Sequence, residues 1–319
     1  MGSKFKVLLY EPMHSQGTAL LKEKCDLIYA TSYEEEDLIA QAADVDAIII
    51  RANGSVSKAI IESSSKLKVI GRHGVGLDTV DLEAAQKCGV RVVYTPMANK
   101  ESVAEHFVGL ALMLAKKMRL ADMALRNCQW QVRNEYIGSE LYGKTLGVLG
   151  FGRIGQQTGR ICKHGFNMSI LYYDQIDYPE AQVELNARRV DEKTLFADAD
   201  FISINLPLLP DTRHFVDAQR LNLMKPSAFL INMARGPIWK EADVVAALKA
   251  KRIAGAGSDV YEIEPITPDN PLLKLDNFVG TPHMSAHTEE GMIRMSMVAR
   301  DVLAVLEGRE PEYPVHNPI

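Results

Sequence analysis

The chain has 319 residues, 47% of them hydrophobic and 24% charged, with a net charge of −5. That length accommodates two domains, each with its own core, and the mild acidity excludes a surface built for nucleic acid or an anionic membrane. No apolar run reaches the length of a membrane span, and Cys25, Cys88, Cys128 and Cys162 lie far apart without metal-ligand spacing, so no metal is expected and reduced thiols in the cytoplasm are.

The first hundred residues alternate strand and helix. Residues 5–10 are too short for a signal-peptide core and read as a first strand over 6–10. A helix is expected over 17–24, a strand over 27–30, and a helix over 34–42 whose Glu34, Glu35, Glu36 and Asp37 favour its N-terminal end. The unbroken apolar run at 47–50 suits a parallel strand buried on both faces. A helix over 57–63, a strand over 68–71, a helix over 81–88 closed by Gly89 as a left-handed cap, and a strand over 90–94 complete a βα domain. It has no phosphate-binding fingerprint of its own.

Residues 101–126 read as one helix, straight or bent. Val103, Phe107, Leu110, Leu114, Met118 and Leu120 contribute to a surface that is apolar around most of the circumference near 107–115. Burial on several sides is implied, either between domains or against a second subunit, with a core helix inside one chain as the competing reading.

A second βα domain follows, with strands over 145–150, 168–173, 201–206, 228–232, 255–260 and 277–280 and helices between most of them, such as 241–251. A last helix, from beyond Thr288 to Glu307, comes too late for that sheet and is expected to cross back to the first domain. The fold class is therefore α/β, with two Rossmann-like, doubly wound parallel sheets. Residues 1–100 with 288–319 form a discontinuous substrate domain, and residues 101–287 a nucleotide domain. Ligands of such sheets sit at the carboxyl ends of the strands, and the two crevices are expected to face each other across an interdomain cleft.

The strand over 145–150 runs into Gly150-Phe151-Gly152-Arg153-Ile154-Gly155, and 156–163 reads as helix. Strand, glycine turn and helix in that order are what give G-x-G-x-x-G its meaning. Gly150 permits the tight turn, Gly152 lets a pyrophosphate approach the backbone, and Gly155 lets helix and strand pack closely. Free N–H groups and the positive end of the helix dipole hold the phosphates. The next strand ends at Asp174, about twenty residues on, where a carboxylate accepts from both ribose hydroxyls and repels a 2′-phosphate. The cofactor so indicated is NAD.

Hydride transfer to a 2-oxo acid needs a cation for the carboxylate, an acid for the new alkoxide, and a partner that keeps that acid charged. Arg235 follows the strand ending at Asn232, and a guanidinium grips a carboxylate bidentately. His283 follows the strand ending at Gly280 and is the natural acid–base group near neutral pH. Glu264 follows the strand over 255–260, and a carboxylate beside an imidazole favours imidazolium. Glu262 competes for that role, because alternation puts both glutamates on one side of an extended strand.

At this point the chain resembles the D-isomer-specific 2-hydroxyacid dehydrogenases over nearly its whole length. The matching motifs are Gly71-Arg72-His73-Gly74-Val75-Gly76-Leu77-Asp78, Thr95-Pro96 with Ser102-Val103-Ala104-Glu105-His106, and the glycine turn. Asn205-Leu206-Pro207-Leu208 with Asp211-Thr212-Arg213-His214, Asn232-Met233-Ala234-Arg235-Gly236, Asp259 to Pro265, and Pro282-His283 complete the set. The resemblance implies Arg235 as the substrate-binding arginine, Glu264, which directly precedes the proline, as the carboxylate partner, and His283 as the acid–base. It implies that Arg153 and Ile154 meet the pyrophosphate, Asp174 the adenosine ribose, and Asp259 the nicotinamide carboxamide. Val75, Val103, Leu206, Pro207, Thr212, Met233, Ala234, Ser285 and Ala286 would line the cofactor, and the N–H groups of Gly74 and Val75 would receive the substrate carboxylate.

The chain departs from the family pattern at His73, where a small residue is usual, at Ile238-Trp239-Lys240, and at His287, a second imidazole shortly after His283. Arg51 matches a position that meets phosphate in phosphoglycerate dehydrogenases, and Arg133 lies near another cationic one. With His73 they are expected to hold a second anionic group on the substrate. The function expected is hydride transfer between NAD(H) and a D-2-hydroxy acid/2-oxo acid pair by a homodimer. An NAD(H)-sensing corepressor-like binding protein of the same fold is the alternative.

Overall fold

The structure is a computed structural model and describes residues 4–315. The chain divides into two compact units, one ending at Asn99 and resuming at His287, the other spanning Lys100–Ala286.

In the first unit β1 (Phe5–Leu9), β2 (Cys25–Tyr29), β3 (Ala47–Ile50), β4 (Val69–Arg72) and β5 (Arg91–Tyr94) pair in parallel in the order β2-β1-β3-β4-β5. Alternate side chains go to opposite faces, as strand geometry requires. Leu8, Ile48, Ile50 and Ile70 pack with Leu38, Ile60, Ile61 and Ala84 on one face. Val7, Leu9, Ala47, Ile49 and Val69 pack with Leu21, Val298, Ala299 and Val302 on the other. The C-terminal segment thus completes the first core. It forms two helices, Glu289–Ser296 and Val298–Leu306, rather than one. At the join the Met297 N–H reaches back only three residues, to the Arg294 carbonyl.

In the second unit β6 (Thr145–Leu149), β7 (Ser169–Tyr173), β8 (Arg188–Arg189), β9 (Phe201–Ile204), β10 (Phe229–Asn232), β11 (Gly255–Ser258) and β12 (Phe278–Gly280) are all parallel, in the order β12-β11-β10-β9-β6-β7-β8. The chain starts at β6, winds outward to β8 and crosses back to β9, so the strand order reverses between β6 and β9. Leu149, Ile204, Asn232, Ser258 and Gly280 lie in one register row. Their strands therefore deliver their following loops to the same edge. Both units are doubly wound α/β sheets, as the alternation of strands and helices implied. β8 has no apolar run and is not visible in the sequence.

The expected helix over 101–126 is two helices, Lys100–Ala115 and Met118–Arg126, because Lys117 is left-handed with φ 54°. Phe107, Leu110, Ala111 and Leu114 of the first pack against Phe201, Phe229 and Ile231 in the second unit's core, so the wide apolar surface is covered within the chain. Among the described residues no helix is long and apolar enough to cross a membrane.

Within the first unit, Gly17 sets how closely the helix Ser15–Lys24 approaches the returning segment. A Cβ at Gly17 would lie 2.4 Å from the Ser296 carbonyl oxygen and 2.8 Å from the Ser296 Cβ. Gly17→Ala is expected to destabilise the protein by about 1–3 kcal/mol through overpacking, read as a lowered midpoint in urea unfolding.

Candidate active site

The glycine turn sits where the strand order reverses, the usual ligand position in an open α/β sheet. Gly150 has φ +87°, and a Cβ there would lie 2.8 Å from the carbonyl carbon and oxygen of Asn205, just beyond β9. A Cβ at Gly155 would lie 2.3 Å from the Gly150 carbonyl oxygen, so the helix Arg153–Phe166 starts hard against the turn. At Gly152 a Cβ would meet no atom within 4 Å. Gly152 is the N-cap and supplies no side-chain cap to the first-turn N–H groups. This helix begins three residues earlier than expected. Arg153 is exposed and Ile154 half-buried.

Asp174 accepts from the Phe151 N–H at 2.6 Å through Oδ2 and from the Ile176 N–H at 2.9 Å through Oδ1. It therefore ties the end of β7 to the glycine turn, and each oxygen keeps a further lone pair. Around the turn, Leu206 and Ala234 are half-buried and Pro207 is exposed, whereas Met233, Thr212 and Val103 are buried. Val103 belongs to the hydrophobic core. The Thr212 hydroxyl donates to the Pro207 carbonyl at 2.6 Å and accepts the Leu209 N–H at 2.7 Å. Val103 and Thr212 are thus enclosed within the second unit, whereas Leu206, Pro207 and Ala234 keep exposed surface.

Arg235, Glu264 and His283 follow the ends of three neighbouring strands, β10, β11 and β12. Buried Asn232 fixes the first loop: its Oδ1 accepts the Ala234 N–H at 3.1 Å and its Nδ2 donates to the Arg235 carbonyl at 2.9 Å. Arg235 donates through Nη1 to the Ala234 carbonyl at 2.8 Å. Gly236 presses the first loop onto the second. A Cβ there would overlap the Tyr261 carbonyl at 1.9 Å, and only a hydrogen fits. The Glu264 carboxylate accepts the Tyr261 N–H at 2.8 Å through Oε1, and its Oε2 lies 2.7 Å from His283 Nδ1. A carboxylate only accepts, so Nδ1 carries the proton and Nε2 is left for other partners. Glu262 points elsewhere, accepting the Glu241 N–H at 2.9 Å and lying 3.2 Å from His214 Nε2. Strand alternation does not separate the two glutamates because β11 ends at Ser258 and the chain bends before reaching either.

The Asp259 carboxylate is fully buried. It accepts from Thr281 Oγ1 at 2.6 Å and from the N–H groups of Met284 and Ser285 at 2.9 and 2.8 Å. The group is enclosed by its own loop. Ser285 is buried with it, and Ala286 is half-buried. His106, not singled out from the sequence, lies with Nε2 2.8 Å from Thr281 Oγ1. Only the pairing of its helix with β12 reveals it. Trp239 is fully buried in the second unit's core with its indole N–H unpartnered, and Arg133 is exposed on the 3-10 turn Trp130–Asn134.

In the first unit the strand order reverses between β1 and β3, and Arg51 directly follows β3. Its Nη2 lies 2.9 Å from His287 Nε2. A guanidinium has no acceptor, so Nε2 of that imidazole is the acceptor. His73 follows β4, its N–H donating to the Ile50 carbonyl at 2.9 Å. Its imidazole is buried with neither ring nitrogen partnered. Burial first, then the Arg51 guanidinium, pushes the His73 pKa down to about 3. The Gly74 N–H is occupied, donating to the Arg72 carbonyl at 2.9 Å and Thr95 Oγ1 at 3.1 Å. Val75 beside it is half-buried.

The family model of the D-isomer specific 2-hydroxyacid dehydrogenase NAD binding domain matches residues 108–285. The chain is 41% identical over 315 residues to D-3-phosphoglycerate dehydrogenase of Methanocaldococcus jannaschii, covering 98% of this chain and 60% of that one. It is 37% identical over 323 residues to glyoxylate reductase of Thermofilum pendens, covering 98% and 95%. The chain thus spans about 60% of the phosphoglycerate dehydrogenases it matches and nearly all of that reductase. A crystal structure of a Thermus thermophilus protein aligns with a TM-score of 0.91 at 31% identity, covering 98% of this chain and 100% of that one. The family match runs through the glycine turn and on past the ends of β10, β11 and β12, and the chain belongs to the D-isomer specific 2-hydroxyacid dehydrogenase family, with an NAD-binding second unit.

Proposed function

We propose that the protein is an NAD-dependent D-2-hydroxyacid dehydrogenase in which His283 is the acid–base group, Glu264 its partner and Arg235 the cation for the substrate carboxylate. The 2.7 Å contact between His283 Nδ1 and Glu264 Oε2 carries this reading. Bound nicotinamide supplies or accepts the hydride. The N–H groups at the start of the helix Arg153–Phe166 fit its pyrophosphate, with Arg153 and Ile154 beside them, and the remaining lone pairs of Asp174 fit the adenosine ribose. In reduction, His283 gives its Nε2 proton to the alkoxide oxygen while Nδ1–H stays on Glu264. In oxidation, neutral Nε2 takes that proton from the hydroxyl. The names of the matched relatives, a dehydrogenase and a reductase, favour this activity over a corepressor-like role.

A substrate with a second anionic group is part of the same proposal. Arg51, buried His73 and His287 gather at the carboxyl end of the first unit's sheet, and an oxyanion there would accept from the guanidinium. A homodimer is also proposed: Met118, Met123, Leu125 and Trp130 are exposed along Met118–Arg126 and the turn after it, apolar area that a second copy would cover. Four free cysteines support placement in a reducing cytoplasm.

His283→Ala is expected to lower kcat roughly 10²–10⁴-fold, the usual span for a lost general acid, with Glu264→Gln also impaired. Steady-state reduction of a 2-oxo acid panel with NADH is the measurement, and near-native kcat in His283→Ala would end the assignment. Arg51→Leu is expected to reduce kcat/KM about tenfold or more for a dianionic acid, the size of a lost charge-assisted hydrogen bond, and much less for glyoxylate. An equal loss on both acids would remove the second anion from the reading.

Burial also gives His73 a sign in acid. It stays neutral in the folded protein down to about pH 3, while an unfolded chain takes the proton near 6.5. Stability contributed by the neutral ring is therefore lost as pH falls from about 6.5 toward 3. Urea unfolding of His73→Leu is expected to show a flatter dependence over that range.

A further inference from the structure

We propose that His106 and Thr281 are positioning residues for His283, acting through the buried Asp259 carboxylate. The inference rests on His283 being the acid–base group proposed above.

A fully buried carboxylate is tolerated only when its oxygens are well supplied with donors. Asp259 has three: Thr281 Oγ1, Met284 N–H and Ser285 N–H. The Thr281 hydroxyl owns one proton, and at 2.6 Å from an acceptor-only carboxylate it gives that proton to Oδ1. The His106 contact, at 2.8 Å, then has one sense: Nε2–H donates to Thr281 Oγ1. The result is a directed relay, N–H to O–H to carboxylate, from the helix Lys100–Ala115 across the chain following β12 to the chain following β11. His106 Nε2 is itself 4.0 Å from Asp259 Oδ1, so any positive charge on the ring reinforces the same pull.

The relay ends on the Asp259 carboxylate, which holds the two amides that follow His283. His283 has φ 49°, a left-handed conformation disfavoured for any side chain with a Cβ. Its N–H donates to the carbonyls of Asp259 at 2.8 Å and Thr281 at 3.1 Å, the two relay residues themselves. Met284 and Ser285 then wrap their N–H groups onto the Asp259 carboxylate. Three successive amides thus bond to Asp259, the first to its main-chain carbonyl and the next two to its carboxylate. The imidazole leaves this backbone aimed at Glu264. Loosening Asp259 releases the conformation that aims the ring, so His106 and Thr281 act on the imidazole indirectly, through the loop backbone.

The test is a double-mutant cycle on kcat for NADH-dependent reduction of glyoxylate or hydroxypyruvate, whichever the enzyme turns over faster. Thr281→Val keeps the shape and removes the hydroxyl. It is expected to lower kcat about tenfold or more, since small misplacements of a reacting group are costly, while KM for NADH changes less than about twofold. Thr281→Ser is expected to recover most of the rate, and His106→Leu to lose more than His106→Gln, which keeps a donor. In a His283→Ala background Thr281→Val should cost almost nothing further, the non-additivity of residues acting as a unit. An equal loss with and without His283 would overturn the relay, as would full activity in Thr281→Val. If Thr281→Val does not fold, the His106 pair in both backgrounds makes the same comparison. Unchanged kcat in His283→Ala alone would instead sink the acid–base reading beneath it.

Discussion

Parallel pairing in register is the constraint on which the site in the second unit depends. Aligning Leu149, Ile204, Asn232, Ser258 and Gly280 obliges five strands to release their loops along one edge. Short loops then suffice to gather a glycine turn, a guanidinium, a carboxylate and an imidazole from distant stretches of sequence. The first unit repeats the principle on a smaller sheet, where the ends of β3 and β4 set Arg51 beside His73. In each case the hydrophobic run that forms the strand also fixes where its polar sequel emerges.

Contacts without side chains refine that placement. The loop after β10 meets the loop after β11 at Gly236, where even a methyl group would overlap the Tyr261 carbonyl. The glycine turn meets the end of β9 in the same manner. Such contacts fix distances between loops more firmly than flexible side chains do, because backbone cannot rotate out of the way. Asn232 and Asp259 complement them by satisfying loop amides and carbonyls from buried positions.

Much of this is legible in the amino-acid order. Unbroken apolar runs mark the buried parallel strands, and the glycine spacing marks the nucleotide turn, because both report strictly local requirements. The break at Lys117 is not legible, since a lysine carries no sign of left-handed geometry. β8 escapes because two arginines have no apolar signature. The choice between Glu262 and Glu264 depends on a bend that alternation ignores. The surroundings of Asp259 are hidden for a different reason. An acid after a strand carries no sign of its burial or of the three donors its own loop supplies. His106 is silent because its partner lies on another element.

The anchoring contact of Asp174 bears on the cofactor choice proposed for it. The carboxylate proposed to meet the ribose already holds the Phe151 amide in the glycine turn. Replacing it to welcome NADP would strip that amide of its acceptor and slacken the turn itself. On the proposed reading, discrimination between the two dinucleotides and rigidity of the phosphate grip would be mechanically coupled, and a route to the phosphorylated form would need a second change that re-anchors the turn.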